Sequence, residues 1–156
     1  MSAPTKGTMP DDATVPPTRP PNRVVVRWAG EQRFEAGRPD GPMLLTDGTG
    51  KAGQSPVDLV LSGLAACAGI DVVEILAKRR TPVERMEVNV AGARVDTTPR
   101  RLRHVMLEFR IDGAGIERVH AERAIGLSVE KYCSVRSSLA GDIGIEWGLI
   151  LNGDRG

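Results

Sequence analysis

The chain has 156 residues, 40% of them hydrophobic, which suits one core, because a typical domain uses ~100 to 150 residues. Its 21 Lys and Arg stand against 20 Asp and Glu, a formal charge of +1, so there is no strong field of either sign to draw in nucleic acid or an acidic surface. Aromatic residues make up only 3% and offer few stacking platforms for single strands, so no nucleic-acid partner is expected.

In chain order, Met1 to Pro21 is rich in Pro, Thr and Asp and poor in large apolar side chains, a composition that cannot offset its ordering entropy by burial. It reads as a disordered tail (1–21), with a partner-docking arm as the alternative, ahead of a single domain over 22–152. No basic region followed by an apolar core and a small-residue cleavage site is present, so the expected location is cytoplasmic. In that reducing compartment two cysteines are more readily working thiols than a permanent staple.

From Arg23 the pattern changes. Val24 to Trp28 predicts a strand, Gln32 to Ala36 a second after the turn at Ala29-Gly30-Glu31, and Met43 to Thr46 a third before the turn pair Asp47-Gly48. Thr49 to Gln54 reads as a loop. Ser55-Pro56 then supplies a capping residue and a proline at the first helical position. The helix should run to about Arg80, where Lys78, Arg79 and Arg80 complement its C-terminal dipole and Pro82 stops it. Its apolar residues fall nearly all round, which predicts burial of most of its surface; Asp58, Asp71 and Glu74 within it argue against a membrane span.

Val83 to Val95 and Leu102 to Ile111 alternate apolar and polar residues and predict a long hairpin. Ile116 to Lys131 predicts an amphipathic helix, Ser134 to Leu139 a short helical piece, and Ile143 to Leu151 a last strand. The order βββ-α-ββ-α-β gives an α+β class with antiparallel sheets, against a thioredoxin-type doubly wound fold, and no C-x-x-C pair is present.

The chemistry-bearing residues are few. The two cysteines, Cys67 and Cys133, sit where helices would meet in the core. As small buried hydrophobes they would need no function at all. On a helix, Cys67 shares its face with Gly63 and Leu64 one turn before and with Ile70 and Asp71 one turn after. Gly63 leaves space beside the sulfur for a small molecule, or for close packing of another helix. Cys67 lies about three turns in, beyond reach of the helix dipole, so a thiolate there needs a cation from elsewhere. Asp71 would oppose ionisation if it pointed at the sulfur, and is expected to face another partner.

Taken together, Ser55-Pro56, Leu64-Ala65-Ala66-Cys67, Ile70-Asp71-Val72-Val73 and Glu130-Lys131-Tyr132-Cys133-Ser134 resemble the paired signature of the OsmC/Ohr family, over Arg23 to Asn152. The resemblance implies an intertwined homodimer whose antiparallel sheets wrap central helices. It also implies a cysteine-based, thiol-dependent peroxidase acting on organic hydroperoxides or hydrogen peroxide, with Cys67 as the attacking thiol and Cys133 as the resolving thiol. Its Gly-Arg-rich loop corresponds to Gly37-Arg38-Pro39-Asp40-Gly41, which makes Arg38 the candidate thiolate stabiliser; an ordinary turn arginine is the alternative. An external thiol would reduce the disulfide, as a lipoylated protein does for some relatives, with no bound cofactor.

One departure stands out: peroxidase members carry a glutamate where this chain has Val57, and Asp58, turned by about 100° on a helix, is not its equivalent. This suggests a less characterised branch of the family and keeps two rivals open: a non-enzymatic dimer that binds a small apolar or electrophilic ligand or senses oxidants, and a structural protein with inert thiols. His104 and His120 complete a nominal Cys2His2 set, but no pair has close ligand spacing, so no metal is expected. Tyr132 is a candidate lining residue or a packing residue.

Overall fold

A computed structural model of the protein describes residues 19–156. Most of the proline-rich stretch therefore lies outside the described residues, and Arg19 to Pro21 form no helix or strand. The described residues gather in two compact units that divide between Ser55 and Pro56.

The first unit is the predicted meander: β1 (Val25–Trp28), β2 (Arg33–Gly37) and β3 (Met43–Asp47) in antiparallel order. Registers of Trp28 with Phe34, Ala36 with Val26, and Ala36 with Leu44 put Val26, Trp28, Phe34, Ala36 and Leu44 on one face, because strand residues alternate sides. That face is apolar and largely open, with Trp28 70% exposed. Behind β3 the chain folds back so that Asp47 N–H donates to the Gln54 carbonyl at 3.0 Å. The Asp47 carboxylate accepts from Thr49 N–H and Oγ–H at 2.8 Å and from Ala52 N–H at 3.0 Å. Gly53 is held so tightly against the Leu45 carbonyl that a Cβ would collide with it.

The second unit begins with α1 (Pro56–Lys78), followed by β4 (Arg85–Arg94), β5 (Leu102–Asp112), α2 (Arg118–Leu127), a π-helical turn over Ser128–Tyr132, α3 (Ser134–Ser138) and β6 (Gly144–Leu151). The sheet order is β4-β5-β6. Alternation on β5 sends Val105, Leu107, Phe109 and Ile111 inward, all fully buried, and the core stripe of α1, Leu64, Ala68, Val72 and Leu76, packs into the same cluster.

Three expectations need correction. The sheets are not wholly antiparallel: β5 and β6 run parallel in register from His104–Gly144 to Ile111–Leu151, and α2, the π-turn and α3 form the crossover that a parallel pair requires. The second helix is not continuous to Lys131, because from Ser128 the helix widens into the π-turn. Finally, α1 is buried along one stripe only. Val60, Ile70 and Val73 are exposed, so the described residues cover one face of the helix and leave these apolar side chains open. By length and composition α1 could cross a membrane, but its buried stripe is that of a core helix.

Candidate functional site

Cys67 stands midway along α1, half-buried and packed against the core, one residue before the buried Ala68. Gly63, one turn earlier, has open space: a Cβ built there would meet nothing within 4 Å. Cys133 stands within the crossover, where the π-turn gives way to α3, and is 1% exposed. The fold brings the two together. They are near enough for Cys67 to contribute to the raised pKa of Cys133, and both are free.

The surroundings treat the two sulfurs differently. Burial pushes the Cys133 thiol above its ordinary pKa; the Arg136 N–H, which donates to its sulfur at 3.4 Å, works the other way, and neighbouring Cys67 adds to the rise. Cys133 is thus held as a thiol at neutral pH and caps α3 through its sulfur. Cys67 is the more accessible of the pair.

Asp71 does face a partner other than the sulfur. Ser128 Oγ–H donates to Asp71 Oδ2 at 2.7 Å and lies 3.3 Å from the Ala68 carbonyl. Ser128 was not singled out from the sequence; a serine inside a helical pattern carries no signal of its own, and the partner is 57 residues away.

Residues 48–148 match the OsmC-like protein family. Over 111 residues the chain is 37% identical to protein YhfA of Escherichia coli K12, a span that covers 70% of this chain and 83% of that one. The chain belongs to the OsmC-like family. Among solved structures, an OsmC-like protein from Mycoplasma pneumoniae superposes with a TM-score of 0.71 at 20% identity, covering 83% of this chain and 95% of that one. An organic hydroperoxide resistance protein OsmC from Legionella pneumophila does so at 0.63 and 16%, covering 84% and 98%. At those identities they establish a shared OsmC-like fold.

The remaining candidates separate on this OsmC-like frame. Arg38 is exposed in the bend after β2, its carbonyl accepting from Gly41 N–H at 3.0 Å; it belongs to the first unit, and both cysteines to the second. Val57 is partly buried against the hydrophobic core, a packing position rather than a charged one. His104 lies 3.3 Å from Glu146 and His120 4.0 Å from Glu117, and among the described residues no three His, Cys, Asp or Glu side chains converge as metal ligands. Tyr132 is half-exposed beneath Lys131 Nζ, 5.6 Å from the ring centre, a cation–π contact on the surface. A cavity of about 380 Å³ lies alongside the π-turn and α3, between Glu130, Arg136, Leu139 and Ile145, but neither sulfur lines it.

Proposed function

We propose that this OsmC-like protein is a two-cysteine, thiol-dependent peroxidase. The observation that carries the reading is the unequal pair: a half-buried Cys67 beside a buried, protonated Cys133. The Cys67 thiolate attacks one peroxide oxygen; the S–O bond forms, the O–O bond breaks, and the departing oxygen takes up a proton as alcohol or water. The Cys133 sulfur then attacks the Cys67 sulfur; the S–S bond forms, hydroxide leaves, and the Cys133 proton converts it to water. Closing a disulfide at this stage protects the sulfenic acid from over-oxidation. An external thiol reductant restores both thiols by two exchange steps.

The attacker must be reachable and the resolver must wait, and burial divides the two roles in that order. Arg38 is proposed as the thiolate stabiliser on the family resemblance alone, a role a guanidinium fills because a cation beside a sulfur favours its ionised form. The working unit is proposed to be a homodimer, supported by the uncovered apolar side chains of α1 and of the meander, because an isolated soluble chain rarely exposes contiguous apolar surface.

Val57 favours a second reading, in which the same pair reacts once per oxidant as a sensor or ligand trap, because a core valine supplies no carboxylate to orient an arginine. Peroxide consumption in the presence of excess dithiol separates the two. The peroxidase reading predicts many turnovers for the wild type and none for Cys67→Ser; for Cys133→Ser with no dithiol present it predicts arrest after one equivalent, with a sulfenic acid trappable at Cys67. A single turnover by the wild type under excess reductant supports the second reading and overturns the first.

A further inference from the structure

We propose that Ser128 is the positioning residue of the Cys67–Cys133 pair and that Asp71 is its anchor, an inference that rests on the redox reading above. Two connections meet at Ser128, which is fully buried. Its hydroxyl reaches Asp71 Oδ2 at 2.7 Å and the Ala68 carbonyl at 3.3 Å. Ala68 directly follows Cys67 and Asp71 lies one turn beyond it, so the hydroxyl grips α1 within one turn of the attacking sulfur. Its carbonyl, in turn, accepts the Cys133 N–H at 2.9 Å, the i to i+5 bond that defines the π-turn. One residue thereby ties the backbone of the resolving cysteine to the helix segment that carries the other.

The widened turn gives this tie its consequence. In a continued α-helix the Cys133 N–H would bond the Val129 carbonyl, and removing one residue from the turn would swing the following side chain by about 100°. The π-turn therefore sets the direction in which Cys133 leaves the crossover. π-bulges are rare and persist where the surrounding structure supports them; here the support is a buried hydroxyl bonded to a carboxylate, a charge-assisted bond whose loss strands the partner. The Arg136 N–H on the Cys133 sulfur at 3.4 Å restrains the thiol from the other side. The pair is accordingly preorganised for closure, and its effective concentration depends on Ser128 and Asp71.

The test is the dithiol–disulfide equilibrium of the full chain in glutathione buffers, read as the fraction of Cys67–Cys133 disulfide by mass spectrometry. Two protein thiols and one oxidised glutathione give one protein disulfide and two reduced glutathiones, so no peroxide is involved. Ser128→Ala and Asp71→Ala should each lower the equilibrium constant by about tenfold or more, the scale of a lost charge-assisted hydrogen bond. Asp71→Asn keeps an acceptor oxygen and should restore most of it, and alkylation of Cys67 by a small reagent should proceed at the wild-type rate in every variant. A wild-type constant in Ser128→Ala overturns the proposal. Should that variant fail to fold, Asp71→Ala, at a half-buried position, decides in the same way. If the wild type closes the disulfide but ignores peroxide, the peroxidase reading fails and the positioning role stands; if it closes none, both fail.

Discussion

At Asp47 one carboxylate organises the whole loop between β3 and Gln54. The N–H of Ala52, the N–H of Thr49 and the Thr49 hydroxyl hold its pKa at about 2 against an ordinary 3.8, with Arg33 adding a smaller effect. Because the folded value lies below the unfolded one, the stabilisation is complete above about pH 4 and is lost as the pH falls towards 2. NMR titration of the Asp47 carboxyl should show its midpoint near 2, and Asp47→Asn should remove this part of the acid dependence; a midpoint at the ordinary 3.8 contradicts the geometry. The loop was legible as a loop from Asp47-Gly48 and its glycines, whereas the role of Asp47 was not, since a turn aspartate looks alike whether or not it collects three donors. The same limit applied at the site. Cys67 and Cys133 stood out because the chain has only two cysteines in distinctive contexts, and Asp71 could be assigned a partner other than the sulfur by charge alone. Ser128 required the fold.

For elements, periodicity gave the faces and left the partners open. Alternation along β5 gave the strand and its period, but the same pattern suits a parallel or an antiparallel neighbour, so the expectation of antiparallel sheets missed the parallel β5–β6 pair. Helical spacing likewise cannot register the extra residue of a π-turn when the polar and apolar order runs on through it. Since β5 is the central strand and Phe109 is its largest fully buried side chain, Phe109→Ala should destabilise the second unit by ~3–5 kcal/mol. Chemical denaturation followed by Trp147, which packs on the same cluster, provides the check, and a loss below about 1 kcal/mol would mean that β5 is not the centre of the core.

Across the whole molecule, the apolar side chains of the described residues exceed what the core takes up. Val60, Ile70 and Val73 on α1, and Val26, Trp28 and Leu44 in the meander, remain open, although the uniform apolar pattern of α1 had suggested burial nearly all round. The pattern registered apolar character all round, and what covers the open face is not written in periodicity. A second copy is the proposed cover, and Ile70→Glu, at a side chain 59% exposed, should shift the protein from dimer to monomer in sedimentation while leaving its helical circular dichroism intact. An unchanged sedimentation coefficient would place that face outside any self-association. The two thiols are best tested by titration of fully reduced protein with an organic hydroperoxide and, separately, hydrogen peroxide, with Cys67–Cys133 disulfide followed by mass spectrometry at short times. A redox pair should form one disulfide per chain rapidly, matched to one equivalent of peroxide consumed; two thiols left unoxidised by either peroxide would rule out the peroxidase.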